Sequence, residues 1–358
     1  SVGNPGLHPP KEYREAINYV NNEMDPHLVH GYMPNAGFES TRTAVAENLN
    51  KRFGSNFTFE NIIMTVGAGS SINVIMKTIF DPGDKQVVFA PYFVEYANWA
   101  SNYHAETVVV PPNEANGFEP DPEALKKALD PKVKVVIINN PNNPTGAIYS
   151  RETLEKIAEV LKEAEKEYGH PIYIITDEPY RELVYDGVKV TFIPNVYDNT
   201  IVCYSWSKSL SLPGERIGYV YVPEKCADAK AVYDTVAGAA REIGSVCPPT
   251  LTQKVIGECV GEMPDLAAYE ENRNLLYNSL TEYGYECAKP DGAFYLFVKA
   301  PNGDAVAYSE KAKLDHNLLV VPGDGFACPG YFRLSYCVSN DMIKRSLPAF
   351  KAMIESYK

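Results

Sequence analysis

Four segments of the chain place residues capable of chemistry directly after predicted β-strands. The segment CYSWSKSLSLPGERIGYV (203–220) carries Lys208 among hydroxyl groups and Arg216 eight positions later. A lysine amine can attack a carbonyl group or carry a proton, and an arginine nearby can hold an anion. A lysine among serines is ordinarily solvated. Here the loop lies between two predicted strands, 200–205 and 218–222, which fix it at both ends.

The other three segments offer an anion site, an amide-rich loop and a buried carboxylate. In VGAGSSINVIM (66–76) a strand passes into a helix through small residues, which let an anion approach the helix N–H groups, although a tight turn explains the same pattern. Asparagine and proline are dense in NNPNNPTGAIYS (139–150), more so than turn chemistry requires. Asp177 ends a strand in ITDEPYREL (175–183), where a carboxylate needs a partner unless it caps the next helix.

A predicted α/β fold positions these segments. Short runs rich in valine and isoleucine alternate with amphipathic helices, which is typical of a largely parallel sheet covered on both faces. The predicted strands are 61–66, 85–90, 106–110, 133–139, 172–177, 200–205 and 218–222. Ligands of such sheets bind beyond the carboxyl ends of the strands, which is where the four segments lie.

The pattern changes near residue 249. A long helical stretch with a predicted break at 261–264 follows, then two short strands and a final helix. We therefore predict a large domain over residues 36–249 and a smaller α+β domain formed by residues 1–35 and 250–358.

Composition argues against several classes of protein. The 358 residues include 33 basic and 46 acidic side chains, and the net charge of −13 argues against nucleic-acid binding. Seven cysteines without a C-x-x-C pair predict reduced thiols and a cytoplasmic location. No apolar run approaches the ~20 residues of a membrane helix, and the first residues do not resemble a signal peptide. His27 and His30 lack a recognisable third ligand, so no metal site is predicted.

Considered together, the motifs resemble those of the class I/II, fold-type-I pyridoxal-phosphate-dependent aminotransferases. The motifs are GAGSS (67–71), PYFVEY (91–96), NPNNPTG (140–146), DEPY (177–180), SWSKSLSLPGERIG (205–218) and YFRLSY (331–336). The resemblance spans nearly the whole chain. It implies a large domain around a mainly parallel seven-stranded sheet, joined to a smaller α+β domain.

The resemblance assigns catalytic roles to Lys208, Asp177 and Tyr180. Lys208 would form an aldimine with pyridoxal 5'-phosphate and then shuttle a proton at the substrate Cα. Asp177 would keep the pyridine nitrogen protonated, and Tyr180 and Asn143 would donate to the phenolic oxygen. Phe93 would stack on the pyridine ring, unless it is only a core residue.

The resemblance also implies how the phosphate group is held. The expected donors are Ala68, Gly69, Ser205 and Arg216, with Ser207 as an additional one. Tyr32, in HGYMPNAG (30–37), matches a tyrosine that reaches the phosphate of the neighbouring subunit. This match predicts a homodimer with shared active sites.

The substrate α-carboxylate calls for a bidentate arginine, and Arg333 matches the family's late arginine. Gly3 and Asn143 are the expected supporting contacts, whereas an arginine on a short strand otherwise forms a surface ion pair. Aspartate is one candidate substrate. Some bacterial aspartate aminotransferases have a lysine in a GGKQ loop where Gly69 stands here. Arg241 is a candidate to replace that lysine, and the alternative is that Arg241 pairs with a nearby glutamate.

The implied function is ping-pong transfer of an amino group between an L-amino acid and a 2-oxo acid. A carbon–sulfur β-lyase uses the same fold and cofactor and stays open as an alternative. A ligand-sensing module of a transcription regulator is a second alternative, but no DNA-binding domain is recognisable in this acidic chain.

Overall fold

Two sheets organise the computed structural model, which describes residues 3–358. The strands are β1 (Ile62–Thr65), β2 (Lys85–Phe89), β3 (Glu106–Val110), β4 (Val133–Asn139), β5 (Tyr173–Asp177), β6 (Thr200–Ser205), β7 (Gly218–Tyr221), β8 (Tyr295–Lys299), β9 (Val321–Pro322) and β10 (Tyr331–Ser335). Within residues 3–358, β1 to β7 form a seven-stranded sheet and β8 to β10 form a three-stranded sheet.

The seven-stranded sheet has the order β1-β7-β6-β5-β4-β2-β3. The pairs from β3 to β6 are parallel, and β7 runs antiparallel to both of its neighbours. All seven predicted strands and the mainly parallel sheet are therefore confirmed, with the strand ends shifted by at most one residue. This arrangement brings the carboxyl ends of β4, β5 and β6 side by side.

Helices cover the two faces of this sheet and one side of the smaller one. They are α1 (Lys11–Glu23), α2 (Pro26–His30), α3 (Glu39–Phe53), α4 (Ala68–Ile79), α5 (Glu95–Ser101), α6 (Pro122–Ala128), α7 (Arg151–Tyr168), α8 (Trp206–Ser209), α9 (Ala229–Glu242), α10 (Thr250–Cys259), α11 (Leu266–Tyr283), α12 (Ala305–His316) and α13 (Asn340–Glu355). The predicted break in the long helical stretch is present, between α10 and α11.

The ends of the helices follow local chemistry. Ser150 caps α7 because its Oγ accepts a hydrogen bond from the N–H of Thr153 at 3.2 Å. The same helix ends at Gly169, whose φ of 75° is accessible to glycine at little cost. Between these ends, Leu154, Ile157 and Leu161 form the apolar face that packs on the sheet.

The smaller domain packs around the three-stranded sheet. Apolar residues of α11, α12, α13, β8 and β10 share one core cluster, which also takes in Tyr180 and Leu183 from the segment after β5. The sequence did not predict β9. The third strand is only two residues long and contains Pro322, so it carries no recognisable strand pattern.

The division into domains at residues 36 and 249 stays a prediction, and the packing of two helices bears on it. Val20 of α1 and Ile256 of α10 lie in a core cluster with Ile62 and Tyr219 of the large sheet. We propose that α1 and α10 move with the large domain, although the sequence assigns both to the smaller one. Over residues 3–358, no helix has the length and apolar character needed to cross a membrane.

Candidate active site

A cavity of about 530 Å³ opens at the carboxyl ends of β4, β5 and β6 and extends to the three-stranded sheet. Its volume is typical of a site for a small molecule or cofactor. The residues predicted from the sequence that line it are Gly3, Ala68, Gly69, Phe93, Asn143, Asp177, Tyr180, Ser205, Ser207, Lys208, Arg216 and Arg333. The fold thus brings together residues that lie more than 300 positions apart in the chain.

Lys208 lies on the single turn α8, directly after β6. Its Nζ donates a hydrogen bond of 2.5 Å to the carbonyl oxygen of Gly3 and lies 5.6 Å from the centre of the Phe294 ring. Burial lowers the pKa of the Lys208 amine from 10.5 to about 8, with the Arg333 and Arg216 guanidinium groups acting in the same direction. The fraction of neutral amine near pH 7 is therefore far larger than for an ordinary lysine, as a nucleophile or base requires, although the protonated form still predominates.

Asp177 is the last residue of β5, and only 7% of it is exposed. Its Oδ2 accepts a hydrogen bond of 2.6 Å from the Tyr96 hydroxyl, whereas its buried Oδ1 has no hydrogen-bond partner among residues 3–358. Burial raises the pKa of this carboxyl group from 3.8 to about 7, and the nearby Glu178 adds to the effect. No helix begins directly after Asp177 in the described chain, so the alternative that it caps a helix is wrong.

The N-terminus of α4 lies at the cavity beside Arg216. Gly67 precedes the helix with a φ of 90°, and a Cβ at this position would lie 2.6 Å from Nη2 of Arg216. The Arg216 guanidinium donates to the carbonyl oxygens of Pro213 at 2.9 Å and Val66 at 3.2 Å. Helix N–H groups, the hydroxyls of Ser205 and Ser207 and a fixed cation are donors suited to a phosphate group.

Arg333 lies at the centre of β10 and is 8% exposed, so the alternative of a surface position is wrong. Its Nη1 donates a hydrogen bond of 2.7 Å to Oδ1 of Asn143. The backbone N–H of Asn143 in turn donates to Oδ1 of Asn139 at 2.7 Å, and Nδ2 of Asn139 donates to the carbonyl oxygen of Asp177 at 2.9 Å. A chain of hydrogen bonds therefore links the arginine to the residue that carries the buried carboxylate.

Comparison with known proteins assigns the chain to a family. The family described as Aminotransferase class I and II matches residues 1–350. This chain belongs to the class I and II aminotransferases. It is therefore a transaminase, and enzymes of this kind transfer an amino group between amino acids and 2-oxo acids.

Several relatives cover almost the whole of this aminotransferase. A probable aspartate/prephenate aminotransferase of Thermus aquaticus is 32% identical over 99% of this chain and 91% of its own. An aromatic-amino-acid aminotransferase of Thermococcus litoralis is 30% identical over 100% of this chain and 91% of its own. A crystal structure of an aminotransferase from Eubacterium rectale is 47% identical with a TM-score of 0.97, over 100% of this chain and 90% of that one.

Two residues considered from the sequence lie outside the cavity of this aminotransferase. Tyr32 is fully exposed on the surface, as a residue that serves a neighbouring subunit would be in a single chain. Arg241 donates to Oδ1 of Asn35 at 3.0 Å, rather than pairing with a glutamate there, and does not line the cavity. It therefore gives no support, within one chain, to recognition of a second substrate carboxylate.

Eight further lining residues carried no predicted role, and four of them have polar or aromatic side chains: Tyr96, Trp99, Asn139 and Tyr295. Tyr96 lies three positions after Phe93 in the motif PYFVEY, which was the available signal, and a turn closed by the hydrogen bond from the Tyr96 N–H to the Phe93 carbonyl oxygen at 3.1 Å brings it to the site. Phe93 itself lies on the cavity wall, edge-on to the Tyr96 ring at 5.6 Å between ring centres. Its stacking role stays a prediction.

Proposed function

We propose that this aminotransferase binds pyridoxal 5'-phosphate in the cavity beside Lys208. The observation that carries the proposal is the buried Oδ1 of Asp177, which has no hydrogen-bond partner in the described chain. A buried carboxylate oxygen without a hydrogen-bond partner is costly, and it suits a protonated pyridine nitrogen, which brings both a hydrogen-bond donor and a positive charge.

The remaining groups of the cavity fit the same cofactor. Gly67 and Gly69 leave space at the start of α4, where a Cβ on Gly69 would lie 3.2 Å from the Trp99 ring. We assign the phosphate to the backbone N–H groups of Ala68 and Gly69, the hydroxyls of Ser205 and Ser207, and Arg216. Phe93 would cover one face of the ring, and the Tyr180 and Asn143 side chains would lie at its phenolic oxygen.

Bound pyridoxal phosphate supplies an aldehyde that bonds to amines and a ring that accepts the electron pair left when the substrate Cα loses its proton. The chain supplies the groups that act around it. Lys208 Nζ accepts the proton from Cα, and its lowered pKa suits it to both taking and returning that proton. Asp177 holds a negative charge at the far end of the cavity, and Arg333, fixed by Asn143, binds the α-carboxylate.

The charges of the cavity bear on which substrates it accepts. Relatives named for aspartate and for aromatic amino acids make both classes candidate donors. Among the described residues, the cations that line the cavity are Lys208, Arg216 and Arg333. Each has a proposed role already, so a second carboxylate such as that of aspartate would need a cation from outside this set.

Two further proposals concern the assembly and its location. We propose a homodimer whose active sites each take Tyr32 from the other chain, which accords with its full exposure here. We also propose a cytoplasmic enzyme, because all seven cysteines are unpaired, as is typical of a reducing compartment.

A panel of amino acids tests the function directly. Purified protein loaded with pyridoxal phosphate is mixed with one amino acid and no 2-oxo acid, and the cofactor absorbance and the product are followed. Transamination converts one equivalent of cofactor to its amine form with any accepted amino acid. A carbon–sulfur lyase would instead turn over continuously and release thiol, ammonia and pyruvate from cysteine-type substrates only, and that outcome would show that the bound cofactor serves elimination and not amino-group transfer.

We expect Arg333→Ala to lower kcat/KM for amino acids, because one partner of a desolvated charge pair is lost. The expected loss of transition-state stabilisation is about 2–5 kcal/mol. Arg333→Lys should recover only part of this loss, since lysine cannot form the two parallel hydrogen bonds of arginine. The matching amine, which lacks the α-carboxylate, is the control substrate. A loss of equal size for amine and amino acid would show that Arg333 does not bind the carboxylate.

The shared active site predicts complementation between two poorly active variants, Lys208→Ala and Tyr32→Ala. In a mixed dimer, one site combines the intact Lys208 of one chain with the intact Tyr32 of the other, while its twin carries both defects. After complete exchange of equal amounts, half of the dimers are mixed, so about a quarter of the wild-type activity should return. If mass spectrometry confirms exchange and activity stays at the parental average, Tyr32 does not act across the interface.

A further inference from the structure

Tyr295 connects parts of the site that are far apart in the sequence. It is 2% exposed and lines the cavity. Its hydroxyl lies 2.9 Å from the hydroxyl of Tyr180, and Cζ of Arg333 lies 4.4 Å from the centre of its ring. A Cβ at Gly3 would overlap the same hydroxyl, so the segment that contacts Lys208 also packs on Tyr295.

We propose that Tyr295 is a positioning residue that donates its hydroxyl proton to Tyr180 and thereby leaves the Tyr180 proton free to point into the cavity. This inference rests on the proposed role of Tyr180 as a donor to the cofactor. It adds a residue that acts through Tyr180 and that also supports the guanidinium of Arg333.

Either hydroxyl could donate the Tyr295–Tyr180 hydrogen bond, and counting protons shows what each direction would mean for the cavity. Burial raises the pKa of both hydroxyls above the usual value of 10.0, so both carry their protons at neutral pH. Only one of the two protons can lie between the two oxygens. If Tyr180 donated it, Tyr180 would have no proton left for the cavity and could act there only as an acceptor.

Arg333 favours donation by Tyr295. A cation over an aromatic ring draws electron density from it, which makes the phenol O–H a stronger donor. The Tyr180 ring instead contacts the Phe294 and Tyr295 rings edge-on, at 5.4 and 5.7 Å between ring centres. The charge of Arg333 lowers the pKa of both hydroxyls, but only for Tyr295 is it the largest effect after burial. The strengthened donor is therefore Tyr295, and Tyr180 accepts.

Tyr295→Phe tests this role because it removes the hydroxyl and keeps the ring beneath Arg333. The first readout is the pH titration of the absorbance of cofactor-loaded protein without substrate. We expect its midpoint to rise by about half to one pH unit, since Tyr180 becomes a weaker donor to the phenolic oxygen. We also expect kcat to fall while KM for the amino acid stays unchanged, because the support of Arg333 is retained.

The comparison variants are Tyr180→Phe, the double variant and Tyr308→Phe. Tyr180→Phe should raise the midpoint further than Tyr295→Phe does, and the double variant should match Tyr180→Phe, because Tyr295 acts only through Tyr180. Tyr308 is a matched control: it is fully buried in the same core cluster, its hydroxyl lies 2.6 Å from that of Tyr285, and it does not line the cavity. Tyr308→Phe should leave the midpoint at the wild-type value.

The outcomes distinguish a failure of the role inferred for Tyr295 from a failure of the proposed role of Tyr180. If Tyr180→Phe moves the midpoint and Tyr295→Phe does not, the positioning role is wrong and the proposed function stands. If neither moves it, the role of Tyr180 in the proposed function is wrong, and the inference falls with it. An equal shift in Tyr308→Phe would show a general effect of losing a buried hydroxyl and would also overturn the inference.

Discussion

Lys208→Ala is expected to reduce transamination by more than about 10⁴-fold, because the nucleophilic amine and the proton carrier are lost together. The cavity should still bind pyridoxal phosphate through the start of α4 and Arg216, but without a covalent bond to the chain. Reduction with borohydride followed by peptide mapping should therefore label Lys208 in the wild-type protein and no lysine in the variant.

Lys254 provides a matched control for this experiment. Burial also lowers the pKa of its amine, but its Nζ lies 3.8 Å from the centre of the Phe38 ring and outside the cavity. Lys254→Ala should keep the wild-type rate and the label on Lys208. Recovery of the label on another lysine, with activity intact in Lys208→Ala, would show that the assignment of the nucleophile is wrong.

The contrast between Lys208 and Tyr295 shows how far the sequence alone can predict this site. Lys208 lies in a local context, with serines before it, Arg216 after it and a strand on each side, so short-range pattern was enough to single it out. The seven strands of the large sheet were equally accessible, because buried parallel strands form continuous apolar runs.

Tyr295 was missed because its place depends on packing between distant parts of the chain. It lies 115 positions from Tyr180, and the two hydroxyls meet only because the segment after β5 packs into the core cluster of the smaller domain. No local spacing encodes that contact. The apolar faces of α1 and α10 are likewise compatible with either domain, so sequence pattern alone does not decide with which domain they pack.

Asp177→Asn is expected to change activity and stability in opposite directions. Asparagine keeps the shape of the side chain and can still accept a hydrogen bond from Tyr96, but it has no negative charge to favour a protonated ring nitrogen. We expect kcat/KM to fall by roughly 10³-fold, equivalent to about 4 kcal/mol of transition-state stabilisation. Near-normal single-turnover rates would show that the carboxylate has no such role.

The stability of the cofactor-free protein should show the cost of keeping this carboxylate buried. The pKa of Asp177 is about 7 in the folded chain against an ordinary value of 3.8, so the folded state binds a proton that the unfolded state has released. The contribution of Asp177 to wild-type stability should therefore fall as the pH rises from about 4 to 7, by up to about 4 kcal/mol for a shift of roughly three units. The amide introduced by Asp177→Asn does not ionise, so the variant should match the wild type near pH 4 and exceed it at pH 8.

Urea unfolding of the cofactor-free wild type and Asp177→Asn variant between pH 4 and 8 measures the difference in their free energies of unfolding. Glu165→Gln, which lies outside the cavity, is the control for losing one acidic group. Adding pyridoxal phosphate should then stabilise the wild type more than the variant, because only the carboxylate gains a charged partner. Parallel pH profiles for the two cofactor-free proteins would mean that Asp177 is not held in a raised-pKa state. A gain in stability at pH 8 together with the loss of activity would show that the fold tolerates an unfavourable buried charge because the reaction needs it.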